Sequence, residues 1–436
     1  MLDTALQAVK DLERMGASEA EGYIQDSTEV IISVKDKEWS KRRKKDTCIG
    51  LRTLTGKKKG FAAGTLPMCS LEEIEKLSFM FSQNTPADPS WEHLPYSKPC
   101  YNPEGIYDRT LAEMSEEEVM DKVQVIMNAV REKGGSAEPN LLLRVDRIAV
   151  ANSYGVEGFY QSTKLDFACL CRVEKREKRE ESMAAVEWHS RAFDVDLEGL
   201  VTTAEQLEPK NFSAIKKSFT GEAVFLPDAV AHIFLPCIKW AVHAENVYSG
   251  RSRFAEKGEV SSPVLTITDD GTLPTGVRSA PFDGEGNPMQ KTTLVEKGIF
   301  QNALHSEYTA NKYGDVSTGN ALRSATTEPS VDTTNTIMKP GDHSVDALVE
   351  QVDEGVLIRN FSGDVDPSRG YFDGRADGSY INHGEIEFHV KTFHIRGNAF
   401  ESLLNIVLVG KNQVCTSDGK YLVPFLTSEI EIIQGS

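Results

Sequence analysis

Gly221–Cys237, GEAVFLPDAVAHIFLPC, runs into a glycine-rich stretch that continues to Gly298. The first piece reads as the opening of a helix over about 227–248, the helix that would carry a metal site if the chain had one. The second piece holds the densest turn chemistry in the sequence: Gly250–Arg251–Ser252, Asp269–Asp270–Gly271 and Asp283–Gly284–Glu285–Gly286–Asn287–Pro288. Those turns separate short β-type runs, Val264–Ile267 and Gln290–Val295, which is the pattern of a multi-stranded antiparallel domain.

Outward from there, the first half alternates helices with strands. Leu2, Leu6, Val9, Leu12 and Met15 recur at spacings of three and four and stop at Gly16, as in an amphipathic helix. Strand-like runs follow at about 21–34 and 47–55. Leu71–Phe81 reads as a helix behind a Ser70/Glu73 capping box, and 116–133 as another behind Ser115/Glu118. Between them, 83–110 carries Pro86, Pro89, Pro95, Pro99 and Pro103 and reads as an extended loop. From about 139 to 194 the pattern is three strands, and a last helix is expected over about 197–209. The expected fold class is α+β in two domains. Residues 1–215 form an α/β domain with helices over a sheet, and 216–436 a mostly antiparallel β domain. At 436 residues the chain is too long for one ordinary core.

The charge balance excludes some functions. The formal net charge is −18, which argues against a nucleic-acid partner. The local basic runs Lys41–Lys45 and Lys57–Lys59 read as solvated hairpin faces. Seven cysteines without C-x-x-C spacing suit reduced thiols, and Asp3, Lys10, Asp11, Glu13 and Arg14 interrupt any leader-like apolar run, so a cytoplasmic protein is expected. The longest apolar stretch, Ala223–Val242, contains Pro227, Asp228, His232, Pro236 and Lys239, so no membrane span is expected.

Catalytic motifs are sparse. H-E-x-x-H is absent, and His232 and His243 would lie about 16 Å apart along a helix, too far to share one ion. Ser213–Lys216 matches S-x-x-K without its companion motifs. There is no G-x-S-x-G, P-loop or dinucleotide fingerprint. One strand alternates His383, Glu385, Glu387 and His389 with Ile386, Phe388 and Val390, so it is expected to bury one face and present imidazoles and carboxylates on the other. His383 and His389 would be about 20 Å apart there, too far for a common zinc.

The second half resembles a known family. DDGTLPTGVRSAPFDGEGNPMQKTTLVEKG (269–298), TANKYGDVSTGNALR (309–323), TNTIMKPGDHS (334–344) and INHGEIEF (381–388) look like the TldD/PmbA peptidases, once labelled modulators of DNA gyrase. The resemblance covers essentially 220–410. It implies two branches that pair as a heterodimer. The TldD-type branch is a zinc peptidase with H-E-x-x-x-H on a helix and a further cysteine ligand near the C-terminus, and the TldE/PmbA-type branch lacks the motif. Here the window is His232-Ile233-Phe234-Leu235-Pro236-Cys237, with Ile233 where the glutamate would be. Isoleucine cannot take a proton from metal-bound water. Pro236 is expected to distort the helix.

The resemblance therefore implies a TldE/PmbA-type subunit without catalytic residues or a metal of its own. Its partner would be a TldD-type zinc subunit and its substrate unfolded peptide; a homodimer is the other possible assembly. His232, Cys237 and Cys415 would be vestigial ligands; Cys415 stands in VCTSDGK, a departure from the family's C-G-K pattern. Peptide contact is expected from His383, Glu385 and His389, and from Asp283 and Asn287 in a turn with accessible backbone. The alternatives are an autonomous metallopeptidase, with His232 and Cys237 as ligands and a base from elsewhere such as Glu245, and a non-proteolytic modulator of gyrase or of a toxin–antitoxin pair.

Overall fold

The computed structural model describes residues 1–132, 135–175, 180–195, 212–255, 258–416 and 419–434. The helix expected over 197–209 lies outside them. They form two compact units. The first comprises the described residues of Met1–Pro209 with Gly271–Gln290 and His305–Asp332; the second comprises those of Lys210–Asp270, Lys291–Leu304 and Thr333–Ser436. The fold class is α+β in two domains. Its units are not the linear halves 1–215 and 216–436, because two segments of the glycine-rich half belong to the first unit. No helix among the described residues is long and apolar enough to cross a membrane.

The first unit is built on one antiparallel sheet. Its strands are β1 (Glu19–Lys35), β2 (Glu38–Thr55), β3 (Lys58–Leu66), β4 (Gly135–Asn152), β5 (Glu157–Lys175) and β6 (Glu180–Ser190), in spatial order β3-β2-β1-β4-β5-β6. The β1–β2 hairpin closes on Asp36 and Lys37, both at positive φ (49° and 70°), the backbone that matches the twist of a two-residue hairpin. Side chains two apart along a strand share a face, so Ala20, Ile24, Val30, Ile32 and Val34 of β1 all turn the same way. Against that face pack α1 (Leu2–Arg14) through Ala5, Ala8, Val9 and Leu12, and α2 (Leu71–Asn84) through Ile74. A long helix, Glu116–Glu132, adds Val119, Val123, Ile126 and Val130 over the same face. Both capping boxes are formed: Ser70 with Glu73, and Ser115 with Glu118.

The opposite face is covered differently, with Leu54 packed beside Trp91, Leu94 and, from the short helix Glu307–Tyr313, Tyr308. Tyr23, Ile148, Val150 and Val156 on that side pack against Phe282 and Ala325, which arrive with the two returning segments. The approach is close. A Cβ at Gly50 of β2 would stand 2.2 Å from the Ala325 carbonyl oxygen, so only glycine fits.

The second unit holds two six-stranded sheets. One runs in the order Glu385–Asn398, Tyr371–Asn382, Glu354–Val365, Phe219–Phe225, Phe425–Ile433, Ile406–Val409. It is antiparallel except where Phe219–Phe225 lies parallel to Glu354–Val365. The helix expected from the opening stretch is Pro227–Val242 and continues through Pro236. It ends at His243, whose extended ψ of 123° starts a separate short helix, Ala244–Tyr248. Phe234 on the long helix meets Phe225 and Phe425 edge-on, with ring centroids 5.0 and 4.9 Å away. Ala229, Val230, Ile233, Cys237, Ile238 and Ala241 are all fully buried around it.

Glu75 is the exception on the apolar side of α2. It is 6% exposed and its Oε1 has no hydrogen-bond partner. Burial, then the charges of Asp11 and Glu72, push its carboxyl up to about 7. A carboxyl raised on folding contributes stability below the unfolded carboxylate range of roughly 4.3. That contribution is lost as pH climbs through about 7. Glu75→Gln is therefore expected to gain on the parent protein steadily between pH 5 and pH 8 in thermal midpoint followed by circular dichroism. A midpoint difference flat across that range would show that Glu75 does not titrate there.

Candidate functional site

The densest buried chemistry lies in the first unit, on the sheet face covered by the returning segments. Glu21 of β1 stands opposite Arg52 of β2 in the antiparallel register. Glu21 Oε2 accepts from Arg52 Nη2 at 2.6 Å, and its Oε1 from Arg323 Nη1 at 2.6 Å. Arg52 Nη1 donates in turn to Glu285 Oε1 at 2.9 Å. The four side chains are between 0 and 4% exposed, and their charges sum to zero. The guanidiniums lie against rings: Arg52 over Trp91 at 5.5 Å, and Arg323 over Tyr23 at 4.8 Å and Phe61 at 5.6 Å. Burial opposes the charge of Arg52, but the carboxylates of Glu21 and Glu285 outweigh it and hold the guanidinium firmly protonated.

The turn Asp283–Asn287 docks beside this chain. Asp283 Oδ1 accepts the backbone N–H groups of Glu285 and Asn287, both at 3.0 Å, and its Oδ2 that of Ala321 at 3.0 Å. Burial, with the neighbouring Glu285 charge, pushes its carboxyl up against the pull of those three donors. Asn287 donates to Glu307 at 3.0 Å and accepts from Lys98 at 2.9 Å. The backbone is used as well, since Asp283 N–H bonds Asn287 O and Gly284 N–H bonds Ala321 O. The expectation of an accessible, peptide-binding backbone here is thus overturned: Asp283 is 2% and Asn287 1% exposed. Their polar groups are taken up by the turn itself and by Ala321, Glu307 and Lys98. A pocket of about 270 Å³ opens next to the turn, between Lys98, Cys100, Glu157, Phe159, Phe282 and Gly286.

The strand expected to carry His383, Glu385 and His389 on one face does not do so. His383 sits in the hairpin turn with φ of 50°, its Nδ1 2.7 Å from Asp353 Oδ1. A bulge follows, because Ile386 pairs with Ile381 whereas Phe388 pairs with Tyr380. The extra residue, Glu387, flips the alternation. Glu385 therefore falls on the Tyr380 side and His389 on the Ser379 side, where its Nδ1 lies 2.7 Å from Ser379 Oγ.

The helix window is equally divided. His232 is exposed, with Nδ1 2.7 Å from the Asp228 carbonyl oxygen one turn back. Cys237 is 0% exposed, donates to the Ile233 carbonyl at 3.4 Å, and burial pushes its thiol up to about 12. Cys415 lies on a two-residue strand, Val414–Cys415, paired with Tyr421. Sequence reasoning passed over Lys420, five residues on and 0% exposed. Its ammonium donates to Thr333 Oγ1 at 2.8 Å and to the Thr333 and Thr334 carbonyls. Asp269 nearby accepts from the Thr334 N–H and hydroxyl. Glu21 and Arg52 were also passed over, because both strands carry several other charged residues and nothing local marks these two as buried.

Comparison with known proteins supplies the lineage. Residues 219–433 match the PmbA/TldA metallopeptidase C-terminal domain. The chain belongs to the TldD/PmbA family. An uncharacterized protein of Methanocaldococcus jannaschii is 27% identical over 395 residues, covering 88% of this chain and 89% of that protein. A metalloprotease of Methanothermobacter thermautotrophicus is 37% identical over 193 residues, covering 43% of this chain and only 40% of its own length. Among solved structures, TldE from Thermococcus kodakarensis superposes with a TM-score of 0.87 at 22% identity, covering 99% of this chain and 100% of that one, so the fold is shared.

A zinc ion does not fit the TldD/PmbA helix window of this chain. Positions five apart on a helix point about 140° away from one another, and His232 looks to solvent while Cys237 looks into the core. Glu245 lies beyond the break at His243, on the separate short helix. Among the described residues no group of three or more His, Cys, Asp or Glu side chains is placed to hold a metal ion.

The charge chain of the first unit has a measurable consequence. Removing one member leaves the others buried without compensation. Arg52→Met is expected to cost about 3–5 kcal/mol in denaturant unfolding monitored by tryptophan fluorescence. A loss under about 1 kcal/mol would mean that water reaches Glu21 and Glu285.

Proposed function

We propose that this chain is the TldE/PmbA-type subunit of a peptidase complex, non-hydrolytic by itself, whose zinc-bearing TldD-type partner cleaves unfolded peptide. The observation that carries the reading is Ile233. It stands where the family resemblance puts the general base of the zinc branch, and its side chain is 0% exposed in the core of the second unit. A base must reach a metal-bound water, and a buried hydrocarbon offers no site for the proton. The outward turn of His232 and inward turn of Cys237 support the same reading.

The helix then has a packing task, as the platform for Phe234 against Phe225 and Phe425. Peptide contact, in this proposal, falls to the exposed hairpin residues His383 and Glu385. His389 is half-buried against Ser379, and Asp283 and Asn287 belong to the interior. Seven free thiols are consistent with a cytoplasmic setting.

The test is cleavage of an unstructured fluorogenic peptide by the purified chain alone, by a TldD-type subunit alone, and by the two together, with zinc measured in each. The expected outcome is no cleavage and no stoichiometric zinc in this chain, a stable complex with the partner, and chelator-sensitive cleavage by that complex. Chelator-sensitive cleavage by the lone chain, with about one zinc each and loss on His232→Ala, would instead establish an autonomous metallopeptidase. Co-purification of gyrase or a toxin in place of a TldD-type chain would favour a modulator.

A further inference from the structure

The basic run of the first unit occupies a position that the sequence alone did not disclose. β2 spans Glu38–Thr55, and β1 pairs with Glu38–Leu54 of it on one side. On the other side β3 pairs only with Thr47–Thr55, from Leu66 at Thr47 to Lys58 at Thr55. Residues Glu38–Asp46 therefore have no strand neighbour on that side among the described residues, and Glu38–Lys45 are all exposed. In an antiparallel ladder alternate residues direct both N–H and C=O to the same neighbour. This leaves a row of outward backbone donors and acceptors about 30 Å long at the strand rise of 3.4 Å per residue.

Five consecutive cations, Lys41, Arg42, Arg43, Lys44 and Lys45, line this open edge. They alternate between the two faces of the sheet, three with one parity and two with the other. On one face Lys41 and Arg43 lie 3.4 and 3.9 Å from Glu116. On the other Lys44 pairs with Asp46. Arg42 and Lys45 make no ion pair among the described residues. Glu116 on one face, and Asp46 with the cross-strand Glu29 on the other, are three acidic neighbours for five cations, in a chain whose overall charge is −18.

The geometry points to β-augmentation of this edge by an extended, acidic peptide segment. A strand laid along Glu38–Asp46 would take up the open backbone groups. Carboxylates at its successive positions would alternate between the two faces as the cations do, so each would meet a basic partner across the ladder. A second copy of this edge is disfavoured, because pairing it with itself sets cation against cation. A nucleic acid would use the charges but not the ladder, and would be repelled by the rest of the molecule. This inference stands apart from the question of which subunit hydrolyses peptide.

The experiment is fluorescence anisotropy with the full chain and a labelled decapeptide of consecutive Glu residues flanked at each end by Thr, so that carboxylates fall on both faces of the added strand. The controls are the same peptide N-methylated at every residue, which blocks both of its edges, and an oligodeoxythymidine of equal charge. Expected are saturable binding of the unmethylated peptide, slowed amide exchange within 38–46 on binding, and a dissociation constant raised roughly tenfold by Arg42→Glu/Lys45→Glu. Both substituted residues are exposed, so the variant should keep the parent circular dichroism spectrum. The N-methylated peptide is tested on the unmodified protein and should bind at least roughly tenfold more weakly. Absence of binding, equal binding of the N-methylated peptide, or tighter binding of the oligonucleotide would each overturn the proposal.

Discussion

The buried chain Glu285–Arg52–Glu21–Arg323 is the constraint on which the first unit rests. Two of its members belong to the β1–β2 ladder, and each returning segment supplies one more, Glu285 from 271–290 and Arg323 from 305–332. Desolvating a lone Glu21–Arg52 pair on that sheet face would cost several kcal/mol per ion. The cross-linked set of four returns enough charge-assisted hydrogen bonding to make burial tolerable. The ion chain and the apolar cover of Phe282 and Ala325 are therefore one arrangement. Neither face of the sheet is left to solvent at this end, which is why the unit cannot be composed of a continuous stretch of chain.

In the second unit the corresponding organiser is the helix Pro227–Val242. Its buried side is almost wholly hydrocarbon, with Ile233, Phe234 and Cys237 all turned inward. A helix that commits those positions to packing cannot also turn them towards a metal-bound water. The polar chemistry of this unit is found elsewhere, in Asp269 and Lys420 around Thr333–Thr336. There Lys420 donates to Thr333 and Thr334, and Asp269 accepts from Thr334, a bonding pattern that ties the strands of this sheet together.

Much of this was legible beforehand. The amphipathic spacing of α1, the two capping boxes, the strand runs and the proline-rich loop all depend on neighbours in sequence, and local patterns report them. The family could be read as well, because its long motifs are contiguous. The polar strand was misjudged because a single extra residue, Glu387, inverts side-chain parity, and nothing in the alternation His383-Glu385-Glu387-His389 reveals a bulge. The turn Asp283–Asn287 was misjudged for another reason. Its glycines and polar side chains suit a surface loop, yet Asp283 and Asn287 satisfy one another's surroundings so fully that the turn can be buried.

By itself the sequence determined the class of fold, the family and the presence of Ile233 beside His232 in the helix window, since each is a property of residue identity and near spacing. Only the tertiary structure decided which residues share a site. The pairing of Glu21 with Arg52 follows from strand register, and that of Arg52 with Glu285 spans 233 positions in the chain. The exposed edge at Glu38–Asp46 depends on β3 being shorter than β2, a comparison of partners that no single strand records. Such facts arise from long-range closure, where burial and charge compensation select one arrangement among many that the local pattern permits.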